Sequence, residues 1–354
     1  MPPCPAGVRW CCAAVASQLR GVGALPIGST VSNAEPRCPP GIPFSFELFP
    51  PRNDAAGVEL RETIRLLAEV GPDFMSVTYG ANGSSRESSL EVLRYIHEHT
   101  AVDPLAHLTC VGSSHLEVNR LVREFLDAGI TRFLALRGDP PRGSVEGEQF
   151  LGDLGSASEL VQLIHRVQTE RAQYDTVQST SAAGIARIPS VRNKVQVAVA
   201  AFPNGHPRSR RAVQDIDTLL AKQVSGATFA ITQLFFHVED YLEFVAKARN
   251  AGVTIPVIPG IMPMTTSRRL QRTLELTDER LPVELARDLE SAESGEAQFE
   301  VGVLHSIALA EEVVRGGAPA LHLYTFNQHK AALSVLRGAG LLPASSTPKG
   351  NETV

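Results

Sequence analysis

Tryptophan occurs once, methionine four times and cysteine five times in these 354 residues. Cys4, Cys11, Cys12 and Cys38 fall near the N-terminus and leave Cys110 alone in the body. That is neither a disulfide framework nor a zinc spacing, so a reducing cytoplasm is the expected location. No apolar run approaches the ~18 residues of a membrane span, so no membrane partner is expected. Lys and Arg number 33 against 38 Asp and Glu, a net charge of −5, which gives no basic surface for nucleic acid. No P-loop glycine run occurs, no His, Asp and Glu cluster has metal-ligand spacing, and no Ser or Cys nucleophile is paired with a base. Small molecules remain as partners, with assembly into a homo-oligomer expected.

What is present is an ordinary globular composition, 43% hydrophobic and 20% charged. Residues 1–41 hold no acid before Glu35 and are rich in Pro, Ala, Gly and Ser, which reads as a disordered N-terminal extension. A secretory signal is disfavoured, because the apolar stretch from Trp10 to Val15 is short. From residue 42 to 342 one pattern recurs: an amphipathic segment, a small residue plus glycine, then a short apolar strand. The joints are Val70-Gly71, Ala128-Gly129, Ser225-Gly226, Ala251-Gly252 and Gly316-Gly317, each suited to the left-handed residue that closes a helix. Leu60, Ile64 and Leu67, and likewise Val118, Val122 and Phe125, keep helical spacing. Ser114 with Glu117 makes a capping box.

The strands read as Phe44–Leu48, Phe74–Thr78, Pro104–Thr109, Arg132–Leu136, Val195–Ala200, Phe229–Thr232, Ile255–Ile258 and Ala320–Tyr324. Eight alternations of strand and helix predict an α/β fold, a closed (β/α)₈ TIM barrel forming a single catalytic domain. A doubly wound open sheet is the other candidate, but no G-x-G-x-x-G follows the first strand. Residues 173–193 show little periodicity and read as a mobile insertion, and 343–354 as a disordered tail.

The first strand carries the sharpest chemical signal. Phe44, Phe46 and Leu48 share one face, Ser45 and Glu47 the other, and Pro50-Pro51 ends the ladder. Taken alone, it fits equally an edge strand with Glu47 in water and a carboxyl poised in apolar surroundings to donate a proton. Barrel chemistry collects at the C-terminal strand ends. Those ends bring Glu47, Thr78, His107, Arg137-Gly138-Asp139, Phe202 with His206, Gln233, Pro259-Gly260 and Tyr324 to one rim. One carboxylate in an apolar strand, a second beside an arginine, and neutral donors and acceptors suit a large planar heterocycle better than hydrolysis.

Six segments in order resemble the methylenetetrahydrofolate reductases. They are Phe46-Glu47-Leu48-Phe49-Pro50-Pro51-Arg52, Ser76-Val77-Thr78-Tyr79-Gly80-Ala81, His107-Leu108-Thr109-Cys110, Ala135-Leu136-Arg137-Gly138-Asp139, Ile231-Thr232-Gln233-Leu234-Phe235-Phe236 and Pro259-Gly260-Ile261-Met262-Pro263. The match runs from about Phe44 to Leu342 and is similar to the single-domain bacterial form. The resemblance implies FAD as cofactor and NAD(P)H as co-substrate. It also implies ping-pong reduction of 5,10-methylenetetrahydrofolate to 5-methyltetrahydrofolate, in the one-carbon metabolism that serves methionine biosynthesis. It implies Glu47 as the general acid and Asp139 as a residue near flavin and pterin that tunes the flavin. It implies Gln233 as an amide serving both ligands in turn, with Tyr324 also at the substrate. FAD would be lined by Thr78, Tyr79, Ala81, His107, Arg137, Gly138, Asp139, Ala157, Phe202, His206, Asp215 and Lys222. No metal is expected.

Departures from the family pattern are concentrated at the rim. Arg269 and Thr273 stand where the family often has Gln and Phe, and Gln328 stands where an Arg is common. Arg269 is therefore the candidate cation for the carboxylates of folate's glutamate tail, with a solvated helix residue as its plain alternative. Thr218 and Ala221 replace polar or basic residues near the FAD. Two further readings stay open: a flavin-independent reductase with direct hydride transfer, and a folate- or flavin-binding barrel without turnover.

Overall fold

The computed structural model describes residues 41–78, 84–138, 152–183, 194–206, 209, 212–277 and 279–342. Eight parallel strands close into a barrel in sequence order, β1 pairing with both β2 and β8. In chain order the elements are β1 (Phe44–Leu48), α1 (Asp54–Ala68), β2 (Phe74–Val77), α2 (Ser84–His99), β3 (Asp103–Thr109) and α3 (His115–Asp127). Then come β4 (Arg132–Leu136), α4 (Ala157–Ala183), β5 (Gln196–Ala201), α5 (Ala212–Val224), β6 (Phe229–Leu234) and α6 (Val238–Asn250). The chain closes through β7 (Val257–Ile261), α7 (Ser267–Thr277), α8 (Val283–Ser291), α9 (Gly295–Arg315), β8 (Leu321–Tyr324) and α10 (His329–Gly338). This is the (β/α)₈ architecture that the alternation predicted.

Glycines at the helix exits do what their position suggested. Gly71, Gly129, Gly226, Gly252 and Gly317 all have positive φ, between 68° and 107°. Side chains would be strained there, so each glycine lets the chain turn from a helix into the next strand. Ser114 and Glu117 form the expected capping box at the start of α3. Leu60, Ile64, Leu67, Val118, Val122 and Phe125 are all buried.

Strands β2 to β6 have two apolar surroundings. Phe44, Phe46 and Leu48 join the main core beneath the helices. Phe74, Leu105, Leu134, Ala198 and Ile231 form a separate cluster that fills the barrel. The alternation along β1 puts Ser45 and Glu47 on the barrel side, and both are buried. The edge-strand reading of Phe44–Leu48 therefore fails, since a closed barrel leaves no edge.

Two local expectations are revised. The seventh strand is Val257–Ile261, later than Ile255–Ile258. Proline 256 donates no ladder bond, and the carbonyls of Val253 and Ile255 are taken by the Arg249 guanidinium. The β6–β7 register slips between Ile231 and Leu234, opposite Pro259. The stretch expected to open a mobile insertion at 173 is instead helical through Ala183, as the end of α4. Residues 184–193, like the extension 1–40 and the tail 343–354, lie outside the described residues.

Candidate active site

A cavity of about 680 Å³ opens among the C-terminal strand ends. Every described residue expected at the flavin lines it: Thr78, His107, Arg137, Gly138, Ala157, Phe202, His206, Asp215 and Lys222. Glu47, Gln233 and Tyr324 line it as well. Tyr79, Ala81 and Asp139 lie outside the described residues. Arg269 lies elsewhere on the rim.

The floor is built around Glu47, which is 7% exposed. Its Oε2 stands 3.5 Å from His107 Nε2 and 3.9 Å from His322 Nε2. Both distances exceed a hydrogen bond, and both nitrogens are buried without another partner among the described residues. Burial pushes His107 down to about 4, against the opposing pull of the Glu47 carboxylate, so the ring is neutral at physiological pH. Tyr324 donates its hydroxyl to the Thr232 carbonyl at 2.8 Å. Burial, then the Glu47 charge, holds that phenol well above its usual range. A Cβ on Gly260 would lie 2.5 Å from the Thr232 carbonyl oxygen and 2.6 Å from Tyr324 Cε2. Only glycine lets the tyrosine lie down on β7.

One wall carries buried charge. Lys222 reaches from α5 to donate to the Ala200 carbonyl at 2.8 Å, and its ammonium is 6.0 Å from the centre of the Phe202 ring. Burial draws Lys222 down to about 8, Asp215 pulling it up and Arg137 down. Asp215 Oδ1 accepts from the His206 amide and the Ser209 hydroxyl, while Oδ2 is buried with no partner among the described residues. Gly138 has φ +88°, and a Cβ there would meet Val111 Cγ1 at 2.5 Å. Gln233 turns its Oε1 to the Leu234 amide, which leaves the side-chain NH₂ for a ligand. Among the described residues no group of His, Cys, Asp and Glu could hold a metal, and no helix is long and apolar enough to cross a membrane.

The rim answers the question raised by Arg269. Its guanidinium lies 4.7 Å above the Phe326 ring and donates to Thr265 Oγ1 at 2.9 Å and to Gln328 Oε1 at 3.2 Å. It is half-buried, and the two departures at 269 and 328 touch each other. Phe326 stacks on Phe49 with ring centres 5.7 Å apart. Thr273 is buried against Met264 and lines no part of the cavity. Sequence reasoning gave Ser45, Thr232 and Asn327 no role of their own and passed over His322. The inward alternation of Leu321-His322-Leu323-Tyr324 was the one available signal for His322.

A parallel barrel with a buried carboxyl, neutral imidazole and phenol at the floor, and a lysine and arginine in the wall, defines a (β/α)₈ protein with a cavity of ligand size at its C-terminal strand ends. The chain belongs to the methylenetetrahydrofolate reductase family, whose model matches residues 40–340. It is 31% identical over 303 residues to the 5,10-methylenetetrahydrofolate reductase of Escherichia coli, covering 85% of this chain and 92% of that one. It is 30% identical to the probable methylenetetrahydrofolate reductase (NADH) of Oryza sativa, covering 85% of this chain but 49% of the rice protein. The chain thus accounts for about half the length of that plant relative. A solved structure from Clostridium thermocellum, described as binding two copies of 5-methyl-5,6,7,8-tetrahydrofolic acid, superposes with a TM-score of 0.54. Its 13% identity, over 85% of this chain and 95% of that one, supports the fold. Family membership makes the protein an oxidoreductase of folate one-carbon metabolism.

Proposed function

We propose that the protein reduces 5,10-methylenetetrahydrofolate to 5-methyltetrahydrofolate with NADH or NADPH, using FAD held in the large cavity and Glu47 as general acid. The observation that carries this reading is Glu47 itself, a buried carboxyl on the floor of the one cavity that gathers the described flavin candidates. The residues fit the cofactor. The volume lies within the roughly 300–1,000 Å³ of ligand sites. Lys222 has N–H groups to spare for a diphosphate, and the orphaned Asp215 Oδ2 is an acceptor for a sugar hydroxyl. Gly138 brings backbone close where a side chain would collide. When bound, FAD supplies a two-electron carrier between nicotinamide and the one-carbon unit.

The protein's own residues then divide the work. Opening the imidazolidine ring of the substrate leaves an amine nitrogen that needs a proton, and Glu47 donates it. The free amide of Gln233 orients nicotinamide and pterin in turn on one face, which is why ping-pong kinetics are expected. His107, kept neutral by burial, adds no charge beside the acid. Asp139, with Tyr79 and Ala81, is assigned to the flavin and pterin side by resemblance. Arg269, supported by Gln328, would receive the glutamate carboxylates of the folate.

The test is the spectrum and steady-state pattern of the purified protein. Flavin absorbance bands with parallel lines in double-reciprocal plots are expected. Active but colourless protein with intersecting lines would overturn the flavin and favour direct hydride transfer. Ligand binding without turnover would leave only a binding barrel.

A further inference from the structure

Behind Glu47, on the side away from the cavity, is a second imidazole that the reaction as described does not use. His322 is 0% exposed and does not line the cavity. Its ring is held between Phe74, stacked at 5.8 Å, and Tyr324, edge-on at 5.2 Å. Nδ1 is 2.8 Å from Ser45 Oγ, and Nε2 faces Glu47 Oε2 at 3.9 Å with no partner of its own. Ser45 and Glu47 stand two residues apart on the inner face of β1, and His322 and Tyr324 are their register partners on β8. Acid and imidazole are therefore set by the same strand pair.

The Ser45 hydroxyl ties the ring to the β1–β8 join. Ser45 Oγ donates to the Leu321 carbonyl at 3.3 Å, which uses its only proton. With that proton on Leu321 the oxygen accepts from His322, an arrangement that puts the ring proton on Nδ1 and leaves Nε2 bare. A bare nitrogen is an acceptor, and its complement is a carboxyl O–H rather than a carboxylate.

We infer that His322, locked by Ser45 with its bare Nε2 toward Glu47, is the positioning residue that aims the proton-bearing form of the acid. The inference rests on the reading of Glu47 as proton donor. Four groups face that carboxyl from the packed strands: Ser76 from β2, His107 from β3, and His322 and Tyr324 from β8. Tyr324 is already committed to Thr232, and His107 belongs to the cavity wall. His322 is anchored from behind by Ser45. The 3.9 Å separation closes with a rotation of the Glu47 side chain, as catalytic contacts commonly tighten when substrate is bound.

Three variants and one spectrum test this. Ser45→Ala removes the acceptor for Nδ1–H, His322→Phe keeps the ring shape without nitrogens, and His322→Gln restores an amide near Nε2. Ser45→Ala and His322→Phe are expected to lower kcat for methylenetetrahydrofolate by roughly a hundredfold, the scale of a 1 Å misplacement. KM and thermal midpoint should change little, and His322→Gln should recover part of the rate. Nitrogen-15 histidine spectra should show an Nδ1–H ring that disappears in His322→Gln and changes in Ser45→Ala. A ring protonated on Nε2, or kcat unchanged in Ser45→Ala and His322→Phe, would overturn the inference. If the wild type itself reduces no folate, the functional reading fails instead, and the ring spectrum still decides the tautomer.

Discussion

A buried ammonium in a cavity wall is a pH-dependent anchor for anions. Lys222 is drawn down to about 8 by burial, Asp215 working the other way and Arg137 with it. Below about pH 8 it is charged before any ligand binds, and an anionic diphosphate would favour that charged form further. Flavin affinity is therefore expected to fall as pH rises above about 8, by up to about tenfold per pH unit while binding takes up one proton. Lys222→Met should weaken binding at neutral pH and flatten that slope, which fluorescence titration of flavin into flavin-free protein would reveal. Arg269 makes a different demand. Arg269→Ala should raise the folate KM by about 1–3 kcal/mol of lost contact and leave the nicotinamide nucleotide KM nearly unchanged. The effect should shrink with added salt, because a rim ion pair is screened. An unchanged folate KM at low ionic strength would confine Arg269 to packing Phe326 and Gln328.

Among the elements, the join of β1 to β8 holds the acid in place. Asn327 accepts from the Phe49 amide at 2.8 Å and donates to the Phe49 carbonyl at 2.9 Å, so one side chain imitates a strand neighbour. Thr325 Oγ1 donates to the Glu47 carbonyl at 2.7 Å just below. Phe326 and Asn327 have φ of 50° and 59°, a left-handed pair that Asn tolerates better than most side chains. Asn327→Ala should cost about 2–3 kcal/mol by orphaning a backbone amide and forcing alanine into that conformation. Chemical denaturation would measure it, and a loss under about 0.5 kcal/mol would show that the join relaxes freely. Much of the element order was legible because glycine and apolar periodicity act locally, as at Gly71, Gly129 and along α3. The extent of α4 was not. Residues 172–183 carry no apolar stripe to follow, yet they also contain no Gly or Pro to stop a helix before Gly184. The shifted β7 likewise depends on Arg249 and on the β6 register, which no local pattern reports. The company Glu47 keeps was half legible. His107 stood at a strand end, whereas Ser45, Thr232 and His322 matter only because barrel closure brings distant strands together.

For the molecule as a whole, a neutral histidine sealed in the barrel links stability to acid. His107 has a folded value of about 4 against an ordinary 6.5, chiefly from burial. The unfolded chain therefore binds the extra proton first as pH falls from about 6.5 to 4. Stability should decline across that window by an amount on the order of 3 kcal/mol, and be unaffected by this group above about pH 7. His107→Asn should flatten the decline in thermal midpoints recorded from pH 7 to 4, within the scatter set by the other titrating groups. If the slope is unchanged, another buried group governs acid unfolding.

The proposed function divides the labour in two: hydride delivery would use the cavity wall, and folate reduction a proton from Glu47 on the floor. Glu47→Gln keeps the shape of the side chain and removes its ability to act as an acid. The most direct measurement is rapid mixing of this variant in two halves, reduction of the bound flavin by nicotinamide nucleotide and its reoxidation by methylenetetrahydrofolate. The account predicts a first half close to wild type and a second half slowed by on the order of 10²-fold or more. A second half that runs near the wild-type rate, or an equal loss in both halves, would contradict it.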